Sequence, residues 1–119
     1  MTTNKRQIGA AYEEQAAHFL IGQGYQILER NYRCRQGEID LIAKDGKTLV
    51  FVEVKYRKDR QKGHPLEAVN RYKQQKIIRT AMYYCYKQKV FDAQACRFDI
   101  VSILGEDIEL LKHAFEMQG

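Results

Sequence analysis

Proline is almost missing from this 119-residue chain, with Pro65 the only one, and tryptophan does not occur. No repeat, low-complexity segment or interdomain linker interrupts it. The three cysteines, Cys34, Cys85 and Cys96, are an odd number without Cys-x-x-Cys spacing. That excludes a disulfide framework and a zinc ribbon, and leaves small buried or semi-exposed thiols. His18, His64 and His113 are scattered and form no ligand pair at helical spacing. No apolar run approaches the ~20 residues that a membrane span needs. The opening Met-Thr-Thr-Asn-Lys-Arg is followed by no signal-peptide apolar core, so the expectation is a cytoplasmic protein. Acid is scarce in one place. Between Lys55 and Lys89 only Asp59 and Glu67 are acidic, against eleven of the twenty basic residues. Within an overall formal charge of +5, such a stretch is either a solvated face or the footprint of a polyanion partner. Hydrophobic content of 45% with 29% charged residues is that of a globular chain, and the length suits one domain.

What is present is a hairpin. Residues 37–57 read as two strands flanking Asp45-Gly46, a pair suited to the positive φ of a tight turn. A two-residue turn at that pair would set Lys44 against Lys47, and a longer one would set Lys44 against Leu49. In both registers odd positions of the first strand oppose even positions of the second. One face then carries Ile39, Leu41, Ala43, Val50, Val52 and Val54. The other carries Glu38, Asp40, Ile42, Leu49, Phe51, Glu53 and Lys55. Its apolar members call for cover, which leaves the acids on a half-buried surface. Asp40 and Glu53 fall opposite or diagonal, roughly 5–8 Å apart, a gap that a hard divalent ion such as Mg²⁺ can bridge with oxygen ligands. Lys55 points the same way, within reach of a phosphate or an attacking water. A solvated cross-strand ion-pair ladder would use the same residues.

Asn4, with Gln7 three residues on, can cap a first helix running to about Gly22. Glu13 falls on its inward arc among Gly9, Ala16, Ala17 and Leu20, while Glu14 points outward. An acid there is either a ligand or the buried partner of an arginine, and position alone favours the partner. Tyr25 to Arg33 follows as a strand with Tyr25, Ile27 and Leu28 as its apolar positions. Asn31, Arg33 and Arg35 precede Gly37, either as phosphate contacts or as a polar loop. After Lys55 the run Tyr-Arg-Lys-Asp-Arg-Gln-Lys-Gly-His reads as a mobile loop, in which His64 is a lone solvated histidine or a base. A second helix runs from Pro65 to about Lys89, with Leu66, Ile77, Ala81 and Tyr84 buried and Ile78 and Cys85 beside them. Its far side mixes cations and rings: Tyr72, Lys76, Arg79, Tyr83, Tyr86 and Lys87. That mixture suits a nucleic acid strand whose phosphates are neutralised and whose bases stack, or simply a solvated face. Lys73 lies at the border of the two sides. Cys96 to Leu104 alternates as a further strand, with Asp99 paired to Arg97, and Gly105 leads into a last strand or helix through Phe115.

Asp40, a twelve-residue interval and Glu53-Val54-Lys55 resemble the D…ExK signature of the PD-(D/E)XK nuclease superfamily. The longer string Gly37-Glu38-Ile39-Asp40-Leu41-Ile42-Ala43 with Val50-Phe51-Val52-Glu53-Val54-Lys55-Tyr56-Arg57 resembles the YraN-like family of small bacterial proteins classed with the endonucleases. These are similar to archaeal Holliday-junction resolvases. The likeness runs from about Gly9 to Phe115. It implies a restriction-endonuclease-like α/β layered domain, ordered αβββαβ plus a short terminal element, around a mixed sheet. It also implies a metal-dependent DNA endonuclease in which Asp40 and Glu53 bind Mg²⁺ or Mn²⁺. Glu13 completes the metal shell, reversing the reading from position alone, and the Val54 backbone carbonyl is a further ligand. Lys55 orients the water, and Lys73 matches a lysine of the family pattern near the scissile phosphate. The candidate nucleic-acid contacts are Arg57, Lys58, Arg60 and Lys62 of the loop with Lys73, Lys76 and Arg79 of the helix. The expected partner is DNA, branched or single-stranded, with two chains associating if both strands are cut. The alternative is a nucleic-acid-binding module that keeps the fold and cuts little or nothing.

Overall fold

The computed structural model of the chain describes residues 5–63, 69–90 and 95–116. Helix α1 (Lys5–Gly22) leads into three consecutive strands, β1 (Gln26–Cys34), β2 (Gly37–Asp45) and β3 (Thr48–Arg57). A 3-10 turn at Arg60–Lys62 and helix α2 (Arg71–Gln88) follow, then β4 (Cys96–Leu104) and β5 (Asp107–Phe115). The five strands form one sheet in sequence order. Every neighbouring pair is antiparallel except β3 and β4, which α2 connects as a parallel crossover.

Side-chain alternation along the strands divides the core. Leu41, Ala43, Val50, Val52, Val101 and Ile103 face α1, whose Ala16, Ala17 and Leu20 are fully buried against them. Ile42, Leu49, Phe51, Phe98 and Ile100 face α2, which covers them with Ile77, Ala81 and Tyr84. A mixed five-stranded sheet with one helix on each face is an α/β layered fold, as expected of a restriction-endonuclease-like domain. Both helices end in the same way. The Tyr25 amide bonds the Leu20 carbonyl with Gly24 at φ 94, and the Val90 amide bonds the Cys85 carbonyl with Lys89 at φ 60. Each is a left-handed stop that satisfies the last carbonyls.

The hairpin takes the second of the two registers: Lys44 faces Leu49, Asp45 faces Thr48, and Gly46 at φ 63 opens the loop. Its faces alternate as expected with one exception. Ile39 packs in the cluster under α2, not with Leu41. The cause lies beside it, where Asn31 of β1 takes φ 55 between the pairs Arg30–Leu41 and Tyr32–Ile39 and twists the two strands locally. Leu28 is exposed, because the register slips between Ile27 and Glu29 and leaves it as the extra residue of a bulge. Strand β3 runs two residues past Lys55, so Tyr56 and Arg57 pair with Ile103 and Leu104 and do not belong to the loop. Helix α2 does not begin at Pro65. Val69 and Asn70 precede its first residue, and the Asn70 side chain accepts from the Lys73 amide as the N-cap. The readings placed on Asn4, His64, Pro65, Leu66 and Glu67 lie outside the described residues.

Beyond the hairpin turn a second set of charges pins the sheet. Asp99 is fully buried and accepts from the Tyr25 hydroxyl at 2.8 Å, from the Arg97 guanidinium at 2.8 and 2.9 Å and from the His113 amide at 3.0 Å. Arg97 also donates to Asp45 at 2.9 Å. Burial and the Asp99 bond push the Tyr25 phenol upward, and the Asp99 bond does the same for Arg97. Because truncation leaves the half-buried Arg97 with Asp45 alone and takes the acceptor from the Tyr25 hydroxyl and the His113 amide, Asp99→Ala is expected to cost about 2–4 kcal/mol. A urea titration reads this as a lower midpoint with an unchanged slope.

Candidate metal-binding and nucleic-acid site

The β2–β3 ladder runs from Asp45–Thr48 to Leu41–Val52 and is not continued beyond it. From there β2 stays with β1 and β3 with β4, so the two strands part. A parting of strands leaves amides without ladder partners. One of them, Val54 N–H, donates to the Asp40 carboxylate at 2.8 Å. This bond holds Asp40 in the fork, one residue along β3 from Glu53.

Glu53 is only 7% exposed and its carboxyl is in hydrogen-bond contact with that of Asp40. Burial, that contact and the Asp40 charge raise the Glu53 carboxyl to about 9, while Lys55 and Lys73 pull the other way. Lys55 Nζ lies 3.9 Å from Glu53 Oε1. Burial lowers the Lys55 ammonium despite that neighbour, and the adjacent Lys73 adds to the effect.

From the other layer, α1 delivers Glu13 one turn before Ala16 and Ala17, half-buried at the rim. Its carboxyl also contacts Asp40, and burial and the Asp40 charge raise it to about 7, against a hydrogen bond from Asn31. The arginine that pairs with α1, Arg30, bonds the outward Glu14. Glu13 instead faces the fork.

Residues 12–103 match the family described as uncharacterised protein family UPF0102. A UPF0102 protein of Lachnoclostridium phytofermentans is 50% identical over 98% of each chain. One of Caldicellulosiruptor saccharolyticus is 46% identical over 94% of this chain and 99% of its own. The chain belongs to the UPF0102 family. In this UPF0102 protein Glu13, Asp40, Glu53, Lys55 and Lys73 all fall inside the matched segment.

The donors gathered in this UPF0102 chain are all oxygens: the carboxyls of Asp40, Glu53 and Glu13, with the Val54 carbonyl on the same short stretch of β3. Among the described residues no three Asp, Glu, His or Cys side chains converge closely enough to enclose an ion as they stand. Carboxyl groups in contact away from water must share protons or a cation, and this donor set suits a hard divalent ion. Glu38 stays outside, exposed and 3.2 Å from Arg33.

The other cations lie around this centre. Arg57 is half-buried, donates to the Tyr56 carbonyl at 3.1 Å, and keeps a buried Nε without a partner among the described residues. Lys58, Arg60, Lys76 and Arg79 are exposed, and Lys73 is half-buried beside Glu53 and Lys55. Lys62 lies in the 3-10 turn, and its side chain is outside the described set.

Asn31 is the member that reading the sequence missed in this role. An asparagine inside a strand is a poor β-former that tolerates positive φ, and that was the available signal. A pH dependence follows from the raised carboxyls. Glu13 and Glu53 bind protons more tightly folded than unfolded, so their stabilisation is full below their ordinary value of 4.5 and is lost on rising through about 7 and about 9. In chelator, Tm is expected to fall across that window, and Glu53→Gln to flatten the fall, both read by thermal melts at stepped pH.

Proposed function

We propose that this protein is a divalent-metal-dependent phosphodiesterase that hydrolyses the backbone of DNA. The observation that carries the proposal is the convergence of Glu13, Asp40, Glu53 and Lys55, from three different elements, on the fork between β2 and β3. Asp40 and Glu53 would hold Mg²⁺ or Mn²⁺, with Glu13 and the Val54 carbonyl completing the ligand set. A bound ion of this kind polarises a phosphoryl oxygen and lowers the pKa of a water.

The chain's own residues supply the rest. Lys55, kept beside Glu53, would orient the attacking water or stabilise the charge growing on the phosphoryl oxygens. Lys73 approaches the same phosphate from the first turn of α2, while Lys76 and Arg79 continue the positive track along the exposed helix face. Tyr12 stacks on Tyr56 with ring centroids 3.6 Å apart, bracing α1 against β3. Lys58 and Arg60 follow the strand end and extend the cationic surface.

A second reading, a binding module without turnover, draws on the exposed Tyr72, Lys76, Arg79 and Tyr86 of α2, which could hold a nucleic acid without any metal. One experiment separates the two. Purified protein is incubated with branched, nicked, single-stranded and duplex DNA, with Mn²⁺ or chelator, beside Asp40→Asn and Lys55→Met. Asparagine keeps an acceptor for the Val54 amide and removes the charge, so loss of cutting with an unchanged melt reports on chemistry. The expected result is Mn²⁺-dependent cutting, abolished in Asp40→Asn and reduced on the order of 10²–10³-fold in Lys55→Met. Binding without cutting, indifferent to both changes, would establish the module. In the same preparations Lys76→Ala and Arg79→Ala should each weaken binding and lower the slope of log K against log salt by roughly 0.7–0.9.

A further inference from the structure

We infer that the cavity between the β1–β2 turn and α2 is a subsite for one unpaired nucleotide, so that the substrate presents an unstacked base beside the bond to be cut. This rests on the phosphodiesterase reading for what lies next to it. The cavity has a volume of about 520 Å³, within the usual range of small-ligand sites. Arg33, Gly37 and Glu38 line it from the turn, and Tyr72, Lys73 and Lys76 from the first turns of the helix. Lys73 joins the cavity to the centre, because the same ammonium that lines the cavity acts electrostatically on Glu53 and Lys55. A molecule seated there therefore has one end at the carboxylate centre.

The lining is chemically mixed in a way that narrows the occupant. Tyr72 is 68% exposed, and the Lys76 ammonium lies 5.8 Å from its ring centroid. A bound inorganic anion would use the three cations but has no need of a ring. An apolar ligand would use the ring but strand the cations. A nucleotide uses both, offering phosphate to Lys73 and Lys76 and a π face to Tyr72. Its base edge carries donors and acceptors, which match Glu38 and Arg33, already 3.2 Å apart and each largely exposed. Paired and stacked bases are closed to such a pocket, so duplex DNA meets only its rim. A base that is already single-stranded enters without the cost of unstacking.

The floor is fixed in advance. Gly37 has φ 149, and a Cβ there would lie 2.9 Å from Thr80 Oγ1, a fully buried hydroxyl that donates to the Lys76 carbonyl at 2.8 Å. The turn thus rests directly on the helix, and only glycine permits that approach.

The test is fluorescence anisotropy in chelator, so that no cutting intervenes, with a labelled single-stranded oligonucleotide and the blunt duplex of the same length. Tyr72→Ala, Tyr72→Phe and Tyr86→Ala are compared, Tyr86 being a comparably exposed ring on the same helix that does not line the cavity. Loss of the stacking ring should weaken single-strand binding in Tyr72→Ala by roughly 5- to 150-fold. Tyr72→Phe and Tyr86→Ala should stay close to the parent, and duplex binding should be indifferent to Tyr72. An equal loss in Tyr86→Ala, or an equal loss on duplex, would overturn the subsite. Single-strand-selective loss in a protein that never cuts with Mn²⁺ would keep the subsite and remove the phosphodiesterase. Mn²⁺-dependent cutting indifferent to Tyr72→Ala would do the reverse.

Discussion

The hydrogen bond from the Val54 amide to the Asp40 carboxylate is where the fold and the site become one problem. Two antiparallel strands that part must leave backbone groups unpaired, and a buried amide without a partner costs about as much as a broken hydrogen bond. Here the missing partner is a side-chain carboxylate. That solves the backbone problem and creates an electrostatic one, because the acid is now fixed in a half-buried fork beside Glu53. Had the ladder continued in the same register, Asp40 would have paired directly with Glu53 and the Val54 amide would have had a backbone acceptor.

The contrast with the other end of the sheet shows what is unusual about this arrangement. Asp99 is also buried, but it is compensated from within the chain: a guanidinium, a phenol and an amide all donate to it. Asp40, Glu53 and Glu13 bring three potential charges and meet one nearby ammonium at 3.9 Å, a second lysine, an asparagine amide and the Val54 amide. The two clusters differ in their balance of charge. One is closed, and its role is to hold Tyr25, β4 and β5 together. The other carries an uncompensated deficit of positive charge, and a cluster in deficit is completed by protons or by a cation from outside.

Much of this was legible in the residues. Hydrophobic alternation located both strands of the hairpin and the buried stripe of α2, and the helical wheel brought Glu13 inward, because those patterns are set by local geometry. What stayed hidden depends on non-local partners. Ile39 is apolar and would suit either face, so nothing in its neighbours reveals that the twist at Asn31 turns it toward α2. Leu28 carries no mark of the register slip that exposes it. The parting of β2 and β3 is likewise decided by β1 and β4, each holding its own strand, and not by any residue of the hairpin. The placement of Lys55 followed from period two alone, whereas its partner Lys73 arrives from a helix whose start is set by the Asn70 cap.

The position of α2 then connects the charge deficit to the surface. Its first turn bears Lys73, pointing at the carboxyls, and Tyr72, which with Lys76 one turn on lines the adjoining cavity, so this end of the helix faces both the buried centre and open solvent. That turn is held from two sides, by the Asn70 side chain on the Lys73 amide and by the close seat of Gly37 on Thr80. Rigid support of this kind matters for positioning, since a flexible lysine in a mobile loop would spend entropy on every encounter with a phosphate. The helix that builds the parallel crossover is thus also the element that sets the distance between a polyanion on the surface and the acids in the fork.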